Sequence, residues 1–126
     1  MILSRKAIRQ AIKLGKLRID PFDKSQISQA HIDLHLNEDM IIHPGEFKLS
    51  KTKEVLNLSD DLCAFMEGRA GLARQGISVE QSSTFLEPNS KGQMTLEIFN
   101  ASVNNIKLMA GQPIAKMYLM KVVDKL

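Results

Sequence analysis

A mainly β fold, a distorted jelly roll or barrel with one short N-terminal helix, is what these 126 residues predict. Three observations carry the prediction. Short segments alternate apolar and polar side chains, the two-residue period of strands with one buried face. Clusters of Pro, Gly and Asn separate them at regular spacing. A helical period is read near the N-terminus, in SRKAIRQAIKLG.

In that helix, residues 4–15, Ser4 is a natural N-cap, Ile8, Ile12 and Leu14 form a partial apolar face, and Gly15 suits the end. LRIDPF is extended, since Pro21 biases Asp20 away from helix. HIDLHL sets Ile32, Leu34 and Leu36 against His31, Asp33 and His35. DMIIHPGEFKLS reads as strand, Pro-Gly turn and strand, and VLNLSDDLCAFME as further short strand. GISVEQSS alternates Ile77 and Val79 with Ser78 and Glu80. After the turn PNSKG, QMTLEIFN is the best-patterned strand, with Met94, Leu96 and Ile98 opposite Gln93, Thr95, Glu97 and Phe99. NIKLMAGQ and PIAKMYLMKVV complete the series. Without a linker, a repeat or a low-complexity tract, residues 1–126 are expected to form one domain.

Composition narrows the function classes. No apolar run reaches the ~18 residues of a membrane span. MILSRKAIRQAIKLGK is basic and amphipathic but lacks the apolar core of a secretory signal. It leads into patterned structure rather than a Ser-rich leader, so it is read as folded. Cys63 is the single cysteine, which fits a reducing, cytoplasmic setting. Net charge is +3 with a pI near 9.1. That favours small anions over nucleic acid, because no basic stripe with interleaved aromatics is present to stack bases.

Most chemical motifs are missing. One cysteine cannot supply the Cys pair of a zinc deaminase, and HIDLH lacks the His-Glu-x-x-His pattern. His31 and His35 read as structural or solvated rather than as metal ligands. No Gly-x-Ser-x-Gly elbow and no Walker loop occurs. GRAGLARQG, residues 68–76, stands out. Ala70 and Gly71 leave backbone N–H groups unshielded and Arg69 offers a fork for phosphate oxygens, although a surface turn with solvated arginines has the same composition. Glu97 lies mid-strand. It is an ordinary solvent-facing residue unless its face lines a pocket, where burial would make it a general base.

Order and spacing add what single motifs lack. The opening through HIDLHL, then HPGEF, GRAGLARQGISV, FLEPNSKGQMTLEIFN and AGQPIAKMYLMKV follow one another collinearly over nearly the whole chain. They resemble the dCTP deaminase branch of the dUTPase-like superfamily, whose patterns are S-x-D-L-x-L, PGEF, GRSSLARLGLxV, xIDPGxxGxIxLExxN and PGMxIxQLxFxxL. The resemblance implies a dUTPase-like subunit, a homotrimer with active sites between subunits, and a pyrimidine deoxynucleoside triphosphate, dCTP or dUTP, bound with Mg²⁺ held through its phosphates. It implies Glu97 as the general base, Arg74 placing the water, and Ser83 holding the water and the base edge. Arg69, Ala70, Gly71, Glu87, Gln112 and Lys116 are the substrate-binding residues implied. The strand glutamate separates the deaminases from plain dUTPases, so dCTP deamination to dUTP, or onward to dUMP and pyrophosphate, is the expected activity.

The chain departs from the pattern at Ala70 for Ser, Glu87 for Asp and Lys116 for Gln. A lost hydroxyl contact costs ~1–3 kcal/mol, about one to two decades in rate or affinity. The family's closing C-terminal segment has no counterpart after Leu126, so weaker closure is expected. Two further readings follow: a dUTP pyrophosphatase using Glu87, and a nucleotide-binding regulator with weakened turnover.

Overall fold

The computed structural model describes residues 1–82 and 84–124. Helix α1 spans Arg5–Lys13, and the Ser4 hydroxyl accepts the Ala7 N–H at 3.3 Å. Ile8 and Ala11 bury its inner face. Gly15 follows with φ 73°, the left-handed conformation that ends the helix at little cost.

Ten strands follow: β1 Leu17–Asp20, β2 Ile32–His35, β3 Met40–Ile42, β4 Phe47–Leu58, β5 Leu62–Gly68, β6 Ile77–Ser78, β7 Thr84–Leu86, β8 Lys91–Asn100, β9 Ile106–Leu108 and β10 Pro113–Lys121. A second helix, α2, is a single turn over Ala70–Arg74. One four-stranded sheet has the order β1-β4-β8-β6, another β2-β10-β5-β7, and β3 pairs with β9 in a ribbon. All these pairings are antiparallel. The mainly β expectation with one short N-terminal helix therefore holds.

Both sheets contribute to one core. Leu56, Leu96 and Ile98 come from the first sheet, and Ile32, Leu34, Met66 and Met117 from the second. The predicted alternation in QMTLEIFN is realised, with Leu96 and Ile98 fully buried.

One difference from the sequence reading is informative. FKLS and VLNL looked like separate strands, but β4 runs through both. The intervening inward positions are Ser50, Thr52 and Glu54, all buried although polar. Their hydrogen bonds make this tolerable. Thr52 Oγ1 donates to the Glu54 carbonyl at 2.9 Å and accepts the Met94 N–H at 3.0 Å, beside a register shift between Lys51 and Val55. A polar inner face interrupts the hydrophobic period without interrupting the strand.

Candidate active site

GRAGLARQG folds as a strand end, a turn of helix and a return. β5 delivers Gly68, Arg69 stays extended as the N-cap of α2, and Gly76 turns the chain into β6 with φ 90°. β6 then lies along the end of β8, pairing Ile77 with Asn100 and Ser78 with Phe99. The ladder extends one step further, because the Glu97 N–H donates to the Val79 carbonyl at 2.9 Å.

These elements enclose a cleft of about 520 Å³, lined among others by Glu67, Gly68, Arg69, Ala70, Glu80 and Lys116. Arg69 Nη1 donates to Asp33 Oδ1 at 2.9 Å, and His31 Nε2 lies 3.1 Å from the same oxygen. Lys116 stands opposite Asp33 on β2 and opposite Glu67 on β5, so the three residues form a row across the sheet. No carboxylate among the described residues lies within ion-pair distance of Lys116. Glu67 accepts the Tyr118 hydroxyl at 2.9 Å. Burial raises the Tyr118 pKa, and the bond to Glu67 adds to this.

Glu80 enters the same cleft from the return segment. Burial pushes its carboxyl up, the Gly68 N–H opposes this, and Glu67 and Glu97 reinforce it.

Glu97 lines a second cleft, of about 460 Å³, with Ser82, Thr84, Phe85, Lys91 and Gln93. Its Oε1 accepts the Gln81 N–H at 3.2 Å. Residues 79–81 therefore link the two clefts: Val79 and Glu80 line the first, while the backbone of Val79 and Gln81 holds Glu97.

The structure brings Arg69, Ala70 and Lys116 together and sets Glu97 apart from them. Gly71, Arg74, Glu87 and Gln112 line neither cleft. Arg74 and Glu87 are exposed. The Glu87 carbonyl accepts the Ser90 N–H at 3.2 Å, closing the Pro88-Asn89 turn. Gln112 Oε1 accepts the Met109 N–H at 2.7 Å and closes the turn before β10. An added Cβ at Gly71 would meet nothing within 4 Å, so packing within this chain does not require glycine there. Ser83 lies outside the described residues.

Sequence reasoning overlooked Asp33, Glu67 and Glu80 as parts of a site. Asp33 was visible on the polar face of HIDLHL and Glu80 in the alternation after Gly76, but only strand pairing sets them beside Arg69.

Residues 35–122 match the dCTP deaminase-like family model. The chain belongs to the dCTP deaminase-like family. A dUMP-forming dCTP deaminase of Streptomyces griseus is 33% identical over 154 aligned residues, covering 97% of this chain and 81% of that protein. The crystal structure of 2'-deoxycytidine 5'-triphosphate deaminase from Agrobacterium tumefaciens superposes with a TM-score of 0.79 at 18% identity. That match covers 96% of this chain and 47% of the Agrobacterium chain, so this dCTP deaminase-like chain spans about half the length of that neighbour. A dUTPase from phage phi11 of S. aureus, solved as a point mutant with a structural Mg(II) ion, superposes with a TM-score of 0.71 at 11% identity, over 87% of this chain and 93% of that one. Such likenesses show a dUTPase-like fold.

Proposed function

We propose that this dCTP deaminase-like chain deaminates dCTP to dUTP, with Glu97 as the general base. One observation carries the reading: the Glu97 carboxylate is held by a backbone N–H at the wall of an open cleft, one short segment away from a second cleft bearing Arg69 and Lys116. Glu97 takes a proton from water, the hydroxide attacks C4 of cytosine, and the proton passes to the amine, which leaves as ammonia. Arg69 and Lys116 bind the triphosphate oxygens. Asp33 aims the Arg69 fork.

The separation of the two clefts supports a homotrimer, in which one copy's phosphate cleft meets another copy's Glu97. Half-exposed Ile2 and Phe85 on one sheet face supply apolar surface for that assembly. Arg74 and Ser83 keep their proposed roles at the water only if that assembly carries them to a shared site.

No group of three His, Cys, Asp or Glu among the described residues is placed to grip a metal ion. Mg²⁺ is proposed to enter with the substrate, held through its phosphates and water, as suits that cation. When bound, the ion would neutralise part of the triphosphate charge. The partner classes proposed are thus dCTP or dUTP and further copies of the chain, in the cytoplasm. No helix among the described residues is long and apolar enough to cross a membrane.

Ala70 lines the phosphate cleft without a hydroxyl, which favours slow turnover and keeps a nucleotide-binding regulator as the second reading. A dUTP pyrophosphatase reading rests on Glu87, which is exposed and lines neither cleft. Incubation with dCTP and Mg²⁺, resolved by ion-pair chromatography with ammonia quantified, tests all three. Ammonia with dUTP supports the deaminase, and ammonia with dUMP and pyrophosphate adds the second activity. Nucleotide binding without product establishes the regulator. Ammonia release retained in Glu97→Gln would remove Glu97 from the mechanism.

A further inference from the structure

Arg69 and Lys116 suit an anion, yet the Glu80 carboxylate shares their cleft. Glu80 Oε2 is sealed from solvent and has no hydrogen-bond partner among the described residues. Leaving a buried polar group unpaired is costly, and more so when it is charged. The oxygen packs over Gly68, where an added Cβ would lie 3.4 Å from it. The Gly68 N–H acts on the Glu80 carboxyl and favours its charged form, yet Oε2 itself makes no hydrogen bond.

The charged groups around Glu80 come from four elements. Glu67 at the end of β5 and Glu97 on β8 repel a negative Glu80. Arg69, before α2, and Lys116, on β10, are the cations of the cleft. Arg69 is already paired with Asp33. An entering oligophosphate would draw both cations onto its own oxygens and bring more negative charge to the cleft. An ionised Glu80 would repel it, whereas a neutral carboxyl would not.

We propose that Glu80 takes up a proton from solvent as an oligophosphate enters the cleft at Arg69 and Lys116, so that anion capture is coupled to protonation of this carboxyl. Protonation then removes the charge from a carboxyl whose Oε2 is sealed over Gly68 without a partner. Burial, helped by Glu67 and Glu97 and opposed by the Gly68 N–H, already moves Glu80 toward its neutral form. The inference deepens the nucleotide reading, whose triphosphate is the anion, but needs only the phosphates.

The sign of the linkage follows. Binding raises the pKa of Glu80 further, so the added affinity is complete below the free-protein value and is lost as pH rises through the bound value. The loss approaches tenfold per pH unit across that window.

Calorimetric titration of the full chain, in two buffers of different ionisation heat, measures the coupling. The ligands are inorganic tripolyphosphate and a non-hydrolysable imido analogue of dUTP. Terminal phosphates titrate near pH ~6 themselves, and comparison with Glu80→Gln removes that contribution. The wild type is expected to take up more protons per bound ligand than Glu80→Gln, and its affinity to fall more steeply with pH. Glu80→Ala, which deletes the oxygen, reads the same difference if the Gln variant folds poorly. Equal uptake in wild type and variants overturns the inference while leaving the nucleotide reading intact. Linked uptake with tripolyphosphate, but no binding of the dUTP analogue and no ammonia from dCTP, keeps the inference and removes that reading. Binding of neither ligand overturns both.

Discussion

His35 Nδ1 lies 2.6 Å from Glu54 Oε2, and the Glu54 side chain is only 1% exposed. The carboxylate also accepts the His35 N–H on Oε1 at 2.8 Å and the Gln26 side-chain amide on Oε2 at 2.9 Å. A polar strand thus crosses the core with its charge fully bonded. Removing one partner leaves a buried charge short of a donor. His35→Ala is therefore expected to destabilise the fold by about 3 kcal/mol in urea unfolding, and Glu54→Ala by a comparable amount. The double variant His35→Leu/Glu54→Met should cost less than the two single changes summed, because no buried charge is left, although the residue-35 N–H still loses its acceptor.

Asp33 tests how Arg69 is aimed. The pair is roughly one-third exposed on each side, so its effect on stability should be small. Asp33→Ala frees the guanidinium to wander. The expected result is a KM for the triphosphate raised about tenfold, with kcat within about twofold and thermal stability nearly unchanged. A kcat collapse with unchanged KM would place Asp33 in the chemical step instead.

Lys16 and Asp61 join the loop after α1 to the β4–β5 turn at 2.6 Å. The Lys16 ammonium, followed by the Ser59 hydroxyl, holds the Asp61 carboxyl down at about 2, from an ordinary 3.8. A lowered carboxylate value contributes stability above the unfolded value, lost as pH falls through the folded one. Lys16 keeps 40% of its side chain exposed, so solvent screens the pair. Asp61→Asn should cost about 1 kcal/mol at neutral pH. In urea titrations that difference should shrink as pH falls from 3.8 toward about 2.

Two glycines of GRAGLARQG separate backbone need from empty space. At Gly76, φ is 90° and an added Cβ would lie 2.9 Å from the Ser102 backbone nitrogen. Gly76→Ala should cost about 2–4 kcal/mol, combining left-handed strain with overpacking. Gly71 is helical with open space around its Cβ position. Gly71→Ala should be neutral or stabilising by up to about 1 kcal/mol. Melting temperatures of both variants decide. A weaker nucleotide affinity confined to Gly71→Ala would show that the open space serves the ligand.

The N-terminal helix and the strand QMTLEIFN could be read directly, because their periods match elements that bury one face. The single strand β4 could not, since Ser50, Thr52 and Glu54 break the hydrophobic alternation that marks a strand. Arg69, Ala70, Lys116 and Glu97 could be nominated from collinear motifs. Their division between two clefts could not, because residues 79–81 set it through backbone bonds to β8. Glu80 went unnoticed for a related reason: its oxygen becomes an orphan only when Gly68 is brought beneath it.

What the sequence by itself determined is the N-terminal helix, the β class and the family, since these follow from local period, turn chemistry and motif spacing along the chain. What only the tertiary structure decided is which charges meet. Asp33, Lys116 and Glu67 share a row because β2, β10 and β5 pair in one register, and a slip of one residue would turn every side chain to the other face. Charge interactions depend on distance and burial, and folding alone sets both.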